Sequence, residues 1–449
     1  MSASVPPSAS SDSEQPRGLY GEPARRPGRR RTEGPPVVPA RAADHTAIHH
    51  FLTAVFQCPA KEEFRAALED PFYEPSDRLL IRSDGKIVAH GHVTRRVMQF
   101  NRLALPVAGL HELGVLPDYH GRGYGRRLLA AAEAAMARDG AVIGLAWTNA
   151  PRFLRSSGWA FCCRHCRSGA AASNLRAGLE SRGLRRLRFN IRPWRQTELG
   201  ALVRIYEENL GQSHGPFQRT EDYWRWLIAR KAFDQIYVAL DGPDVLELEE
   251  SQSPIVGYAI TRGAKILELF TAAGRFRAAA ELLDRACSDT IERACHSVVL
   301  HARPGSPLDK LFRRAGGRRA DCATCGRGVL MAKLLDPLRL LGEMGGRLNR
   351  RAIAAGMPLP LSLGLLVDGK KYQVEIGRDN TRVASGHVGR SYLQLCAADF
   401  TRLLLGQLDL DRALAEGRAT ASTALAQKAA RAIFRRHHFW RPPLDELSV

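Results

Sequence analysis

A strand, a glycine-rich turn and a helix follow one another between Leu113 and Leu129, where the sequence reads LGVLPDYHGRGYGRRLL. Glycines let backbone N–H groups crowd round an anion, and a helix that starts there points the positive end of its dipole at the same place. Arg122, Arg126 and Arg127 could add charge-assisted hydrogen bonds to phosphate. These residues therefore predict a cradle for a pyrophosphate group.

Two other phosphate-binding motifs are excluded in this stretch. It is not a Walker loop, because no Gly-Lys-Ser/Thr follows the glycines. It is a poor dinucleotide fingerprint, because Gly121, Gly123 and Gly125 have the wrong spacing. A tight turn that holds no ligand is the remaining alternative.

The catalytic side chains are less evident than the cradle. Glu112 stands on the strand just before Leu113, and His111 is beside it. Alternation along a strand predicts that these two side chains point to opposite faces. Glu112 is the first candidate for a general base, and an ordinary charge at the end of a strand is the alternative.

The surrounding periodicity predicts an α+β fold that would position this stretch. Helices are predicted over residues 46–56, 61–68, 124–138, 278–294, 337–355 and 426–436. Strands are predicted over residues 110–116, 141–147, 255–260, 297–301, 330–335, 361–367, 371–376 and 392–396. The dipeptide Asp84-Gly85 between two apolar runs predicts a hairpin.

Composition limits the class of protein. The 449 residues suggest about three domains, and no apolar run approaches the length of a membrane span. Residues 1–36 are rich in Ser, Pro, Gly and Arg without the apolar core of a signal peptide, so we expect a disordered basic tail and a cytoplasmic protein. The net charge of +20 could favour nucleic acid or a phosphate-rich ligand. An Arg-rich composition is the favoured explanation of the charge, and no nucleic-acid motif is present.

Nine cysteines, an odd number, make a disulfide framework unexpected in a cytosolic chain. Two C-x-x-C pairs exist, Cys163/Cys166 and Cys322/Cys325. Four thiolates could bind zinc, but the pairs lie far apart in the sequence. Free thiols are the favoured interpretation, and we predict no metal site.

At the glycine-rich turn the sequence resembles the GNAT acetyltransferases. Their signature, Arg/Gln-x-x-Gly-x-Gly/Ala after a strand ending in Val-x-Pro, here reads His120-x-x-Gly123-x-Gly125 after Val115-Leu-Pro. The resemblance implies an acetyl-CoA site in which the strand backbone pairs with the pantetheine arm and the turn holds the pyrophosphate. The implied cofactor-binding residues are Leu113, Gly114, Val115, His120, Gly121, Arg122, Gly123, Tyr124, Gly125, Arg126, Asn149 and Ala150.

The resemblance also shows what is missing. A Tyr that serves GNAT enzymes as general acid falls here at Leu154, which cannot donate a proton. The acid is therefore absent, and a domain that binds acetyl-CoA with little turnover is the alternative function.

The wider sequence resembles the Eis (enhanced intracellular survival) type of acetyltransferase. The resemblance implies a GNAT domain over residues 37–180, a degenerate second GNAT-like domain over 187–335 and a sterol-carrier-protein-like α+β domain over 336–449. In that family the C-terminal carboxylate can act as base, which implies the same role for Val449.

The function implied is an N-acetyltransferase that moves an acetyl group from acetyl-CoA directly to an amine in a ternary complex. The expected acceptor is a small-molecule amine or a lysine side chain. Resemblance implies a homo-oligomer, commonly a hexamer in the family. We expect no specific nucleic-acid partner and no membrane span. A carrier of an apolar ligand through the last domain is a further alternative.

Overall fold

The computed structural model of the protein describes residues 34–163, 167–184, 189–211, 213–242, 254–320 and 328–445. Residues from Val37 onward form one compact unit. Its strands form three mixed sheets of eight, seven and five strands. The prediction of an α+β fold built on mixed sheets is confirmed.

The first part of the chain, residues 34–163, begins the eight-stranded sheet. Its strands are β1 (Val37–Pro39), β2 (Arg78–Ser83), β3 (Lys86–Phe100), β4 (Leu103–Val115), β5 (Ile143–Thr148) and β6 (Ala160–Cys163). Its α-helices are α1 (His45–Phe56), α2 (Lys61–Leu68), α3 (Tyr124–Arg138) and α4 (Pro151–Arg155). The helices α1, α2 and α3 lie where the sequence predicts them.

The second part, residues 167–320, supplies the seven-stranded sheet. Its strands are β7 (Arg167–Ala171), β8 (Asn190–Pro193), β9 (His214–Phe217), β10 (Gln235–Leu240), β11 (Ile255–Arg262), β12 (Lys265–Thr271), β13 (Ser297–Leu300) and β14 (Arg318–Ala320). Its α-helices are α5 (Ala172–Ser181), α6 (Leu199–Leu210), α7 (Glu221–Ala229), α8 (Ala278–Glu292) and α9 (Pro307–Arg314). The short strand β9 pairs with β3 of the first sheet instead of its neighbours in sequence.

The third part, residues 328–445, forms the five-stranded sheet and one further strand. The strands are β15 (Val329–Leu334), β16 (Leu361–Val367), β17 (Lys370–Ile376), β18 (Thr381–Ser385), β19 (Tyr392–Leu395) and β20 (Ala419–Ala421). The α-helices are α10 (Pro337–Glu343), α11 (Gly345–Ala354), α12 (Ala397–Leu404), α13 (Leu410–Ala415) and α14 (Ala424–Ile433). The single helix predicted over residues 337–355 is two helices that meet at Met344.

Two strands cross between sheets. The strand β15 lies between β5 and β6 in the first sheet, with Leu330 opposite Trp147 and Cys163. The strand β7 lies between β13 and β14 in the second sheet. The sequence placed residues 330–335 at the end of the second segment, because periodicity identifies a buried strand but not the sheet that it joins.

The core holds the first sheet between two layers. On one face α3 packs through Leu128 and Leu129 against Val93 of β3 and Leu110 of β4. Another apolar cluster continues from Phe100 and Leu105 of this sheet into the third sheet and its helices. The strands that carry the glycine-rich turn are therefore supported by the rest of the chain.

Candidate active site

The strands β4 and β5 begin as parallel neighbours and then separate. Their pairing runs from Val107 opposite Ile143 to Gly109 opposite Leu145 and ends there. On its other side β4 stays paired with β3 as far as Val115. One backbone edge of β4 beyond Gly109 therefore has no partner strand within the described residues and can bind an extended ligand by strand-like hydrogen bonds.

A β-bulge in β4 interrupts its alternation beside this edge. Glu112 has a φ of 52°, and the pairing with β3 shifts between His90 and His92. Because of the bulge, the Glu112 carboxylate approaches His92, whose ring also neighbours His111. The bulge interrupts the regular alternation from which opposite faces are predicted for Glu112 and His111, and Glu112 but not His111 lines the large cleft beside this edge.

A cleft of about 1420 Å³ opens along the separated strands. Eleven of the twelve predicted cofactor-binding residues line it: Leu113, Gly114, Val115, His120, Gly121, Gly123, Tyr124, Gly125, Arg126, Asn149 and Ala150. The twelfth, Arg122, is absent from this lining; its guanidinium donates to the Asp118 carbonyl and stacks on Tyr119. The predicted base Glu112 also lines the cleft, whereas Val449 lies outside the described residues.

The glycine-rich turn has the backbone that a phosphate cradle needs. Gly121 and Gly123 have φ values of 76° and 80°, which side chains rarely adopt, although open space surrounds both. Gly123 precedes the first turn of α3 and supplies no side chain to cap its N–H groups. His120 donates from Nε2 to the Val115 carbonyl at 2.9 Å and so fixes the turn to the end of β4.

On the side opposite the glycine-rich turn, the cleft is lined by the residues that follow β5. The Ala150 N–H donates to the Thr148 hydroxyl at 2.9 Å, which turns the chain from β5 into α4. Leu154 in α4 lines the cleft and is also part of the core around α3. The position at which the resemblance implied a Tyr thus carries an apolar side chain.

The carboxylate of Glu112 is held by an ion pair. Arg78 donates to its Oε2 at 2.6 Å, and Arg78 is fully buried. Burial raises the pKa of the Glu112 carboxyl, but Arg78, His90 and His111 together outweigh burial and the net shift is downward. Glu112 is therefore a stable anion and a weak proton acceptor.

His92 lies beside Glu112 in the cleft and differs from it in having a neutral ring. It is 3% exposed and lines the cleft, with Nδ1 4.0 Å from Glu112 Oε2. Within the described residues its ring makes no hydrogen bond, and its edge meets the ring of Tyr73. Burial, aided by the charge of Arg78, lowers the pKa of His92 well below 6.5, so the imidazole is neutral near pH 7.

Two neighbouring histidines are engaged elsewhere. His90 contacts the Glu112 carbonyl through Nδ1 at 3.1 Å and Arg78 through Nε2 at 3.2 Å. His111 contacts the Thr94 hydroxyl at 3.1 Å. Burial lowers the pKa of His90 and of His111 to about 4 each. His92 is thus the histidine whose ring remains available to the cleft.

Sequence reasoning missed His92. The alternation His90-Gly-His92 in the β3 sequence was a signal for two imidazoles on one face of a strand. Placing them beside Glu112 needed the register of β3 against β4, which the bulge shifts by one residue.

The wall that faces β4 is formed by α1, α2 and residues from the second part of the chain, mainly in and after α7. Phe56 of α1 packs so close to Gly114 that a Cβ there would lie 2.8 Å from its ring. The Trp226 indole of α7 donates to the Ala66 carbonyl of α2 at 2.7 Å. The residues of the second part that line the cleft are Trp226, Arg230, Lys231, Ala232 and Arg262.

The described part of the chain offers neither a metal site nor a membrane-spanning helix. Cys163 is described, while Cys166, Cys322 and Cys325 lie outside the described residues. Within the described ranges no three His, Cys, Asp or Glu side chains come together as a metal site. Every described helix is too short or too polar to cross a bilayer.

Comparisons with known proteins agree with this geometry. Residues 37–162 match the family described as Acetyltransferase (GNAT) domain. A GCN5-related N-acetyltransferase from Anabaena variabilis superposes with a TM-score of 0.71 at 15% identity, covering 90% of this chain and 98% of its own. One from Kribbella flavida gives 0.69 at 16% identity, covering 91% and 97%. Eis1 from Mycobacterium abscessus gives 0.62 at 16% identity, covering 90% and 98%. None of the curated proteins has a significantly matching sequence.

The family match and the cleft thus fall on the same part of the chain. Residues 37–162 form the GNAT acetyltransferase domain. Over most of its length the chain has an Eis-like architecture, in which a domain of this class is followed by two further sheets.

Proposed function

We propose that this protein transfers an acetyl group from acetyl-CoA to an amine by direct attack within a ternary complex. The observation that carries the proposal is the free edge of β4 beyond Gly109, which leads to a turn with left-handed glycines at 121 and 123. The edge offers N–H groups to the pantetheine arm and the thioester carbonyl, and the turn offers them to the pyrophosphate.

In the proposed reaction the neutral amine attacks the thioester carbonyl carbon. An N–C bond forms, the C–S bond breaks, and the nitrogen loses one proton. We assign that proton to His92 on geometry, because its ring lines the cleft and makes no hydrogen bond within the described residues. Its lowered pKa keeps the imidazole neutral and able to accept a proton, but makes it a weak base, as the same direction of shift does for Glu112. Glu112 stabilises the imidazolium from 4.0 Å, and remains the alternative base.

The carboxylate of Val449 is a third candidate. Arg219 and Asp445 form a buried ion pair, and Arg230 of the cleft donates to the Leu444 carbonyl. The chain therefore runs beside the cleft at Leu444, five residues before Val449, which supports this candidate. The departing thiolate takes its proton from water, because Leu154 has none to give.

Acetyl-CoA binding and thiol release test the proposal together. We expect calorimetry to detect binding by the wild-type protein and a thiol reagent to detect turnover with some amine in a broad panel. Absence of binding would overturn the proposal. Binding without turnover would favour the second candidate, a protein that senses acetyl-CoA, for which the specific observation is the apolar Leu154.

We also propose the predicted organisation into a basic tail over 1–36, two GNAT-type domains over 37–180 and 187–335, and a sterol-carrier-protein-like domain over 336–449, except that β7 and α5 pack with the second sheet and β15 with the first. The five-stranded sheet with its helices supports the last assignment. A homo-oligomer, a cytoplasmic location and an acceptor that is a small amine or a lysine side chain belong to the same proposal. Light scattering of the purified protein tests the oligomer.

A further inference from the structure

The candidate bases lie on the side of the first sheet that α1 and α2 cover. The guanidinium of Arg78, the partner of Glu112, lies over the ring of Phe64 in α2 at 5.1 Å. The ring of His90, which contacts the Glu112 carbonyl, lies 5.9 Å from that of Phe51 in α1. An amine that reaches the Glu112 carboxylate or its neighbours therefore meets α1 and α2 as well.

The part of the cleft formed by α1, α2 and α7 offers mainly apolar surface. Ala66 and Ala67 of α2 line it and are half-buried. The Trp226 indole of α7 also lines it and donates to the Ala66 carbonyl at 2.7 Å, so its N–H is already engaged. Phe56 at the end of α1 is a further lining residue. An acceptor placed here would therefore contact mostly hydrocarbon.

Phe56 is the most open of these apolar side chains. Its exposed fraction is 38%, and among the large hydrophobic side chains exposed in the described residues it alone lines the cleft. One edge of the ring is fixed against β4, where a Cβ on Gly114 would lie 2.8 Å from it. A fixed aromatic ring that stays open inside a cleft is the kind of surface that an apolar ligand covers.

The carboxylates that line the cleft are poorly suited to bind a second ammonium group. Glu112 accepts from the fully buried Arg78 at 2.6 Å, so a positive charge already lies beside it. Glu63 accepts from the Ala60 N–H at 3.0 Å, which caps the start of α2, and it is exposed to solvent. An exposed charge gives little affinity because water and salt screen it.

The cations of the cleft are similarly poor partners for an anion. Arg230 donates to the Leu444 carbonyl and interacts with the charge of Asp445. Arg262 also interacts within the protein. Lys231 is exposed just after α7, where water competes for it. Charge of either sign is therefore a weak basis for selecting an acceptor, and apolar contact is the stronger one.

We infer that the acceptor is a small primary amine with an apolar substituent, which packs against Phe56, Ala66 and Ala67 while the nitrogen reaches His92. This inference rests on the proposed acetyl transfer and narrows its acceptor. Each methylene group that leaves water strengthens binding about fourfold. A hydroxyl or a second ammonium group that lost its water here without a partner would weaken binding.

The test uses the full chain saturated with CoA and three linear amines that have the same number of non-hydrogen atoms. Hexylamine has a hydrocarbon tail, diglycolamine an ether alcohol and cadaverine a second ammonium group. Calorimetry measures their binding without any turnover, and thiol release then measures their turnover with acetyl-CoA. We expect hexylamine to bind at least about tenfold more tightly than the other two, an advantage that persists as salt is raised.

Substitutions of Phe56 and Ala67 locate the effect. We expect Phe56→Ser to weaken hexylamine binding about tenfold, because the apolar surface of the ring is lost. The matched control is Phe276→Ser, since Phe276 is 39% exposed and lies before α8, outside the cleft. Ala67→Glu should weaken hexylamine and strengthen cadaverine, because a carboxylate replaces a methyl group. Acetyl-CoA affinity should be unchanged in all three variants.

Three results would overturn the inference. One is that hexylamine does not bind, or binds no more tightly than diglycolamine or cadaverine. Another is an equal effect of Phe56→Ser and Phe276→Ser on hexylamine. The third is a loss of acetyl-CoA affinity in Phe56→Ser, which would assign the open ring to the pantetheine arm. Because binding is measured without turnover, these results differ from a failure of the proposed function, in which acetyl-CoA does not bind or no amine releases thiol.

Discussion

The first and second sheets share an element order, and each contains one pair of parallel strands. They differ in the residues found beyond the point where those two strands separate. In the first sheet β4 and β5 separate beyond Gly109, and a cleft opens there. In the second sheet the parallel pairing of β12 with β13 ends at Ile266 opposite Leu300. A buried ion-pair network includes Glu268 of β12: Arg219 binds Glu268 at 2.7 Å and Asp445 at 2.8 Å, and all three side chains are fully buried.

The turns that follow these strands differ in the same way. The turn before α3 has Gly121 and Gly123 in left-handed conformation and an exposed Arg126 in the first helical turn. The turn before α8 has one left-handed glycine, Gly274, and the helix begins with the fully buried Ala278. A helix start that is covered by protein cannot receive a phosphate, so the fold alone does not make a cofactor site.

The comparison predicts that a negative charge placed in the glycine-rich turn before α3 abolishes acetyl-CoA binding. We expect Gly123→Glu to weaken binding by about a thousandfold or more, because it combines a strained φ with repulsion of phosphate. The matched control is Gly274→Glu, since Gly274 has a φ of 76° and equally open surroundings. Calorimetry measures both, and comparable losses in the two variants would contradict the assignment of the site to the first turn.

In the second sheet the predicted effect is on stability. Glu268→Ala should lower the free energy of unfolding by about 3–5 kcal/mol, because Arg219 would stay buried without one of its two carboxylates. Denaturant titration at neutral pH measures this loss, and acetyl-CoA affinity should be unchanged. A variant that unfolds normally but binds acetyl-CoA poorly would show that the second sheet has its own part in the cofactor site.

His92 should matter for catalysis and not for cofactor affinity. We expect His92→Gln to lower kcat about 100-fold, the usual scale of general-base help, with little change in acetyl-CoA binding. Single-turnover thiol release measures the chemical step, and Glu112→Gln is the comparison. A larger loss of kcat in Glu112→Gln than in His92→Gln would identify Glu112 as the base.

Acid should destabilise the first sheet through its buried histidines. Burial lowers the pKa of His90 and His111 to about 4 and that of His214 to about 2. The unfolded chain binds these protons near pH 6.5 and the folded chain does not, so stability is complete above that pH and falls below it. Each such histidine contributes about 1.4 kcal/mol per pH unit in this window.

Denaturant midpoints between pH 8 and pH 5 measure this loss. Replacing His111 by Gln should make the decline of the unfolding free energy with falling pH shallower by the contribution of one histidine. An unfolding free energy that stays constant down to pH 5 would mean that these rings are protonated in the folded protein.

Much of the first sheet could be predicted from the sequence, because its signals are local. Asp84-Gly85 has the positive φ values that a tight hairpin requires, and Tyr124–Arg138 follows its glycine start and 3.6-residue period. The placement of Glu112 beside His92 could not be predicted, since it depends on a bulge between strands. The location of β15 in the first sheet depends on tertiary contacts, for which periodicity carries no information.

The position of β15 also determines when the cleft can form during synthesis. Its residues follow β6 by more than 160 positions, yet they separate β5 from β6. Contacts so distant in sequence form late, after the intervening chain has emerged from the ribosome. A nascent chain ending near residue 180 would therefore have an open edge on β5, next to the strand that forms the cofactor cleft, and would be exposed to mispairing and aggregation. We therefore expect the cleft between β4 and β5 to form late in folding, although its glycine-rich motif is among the first parts translated.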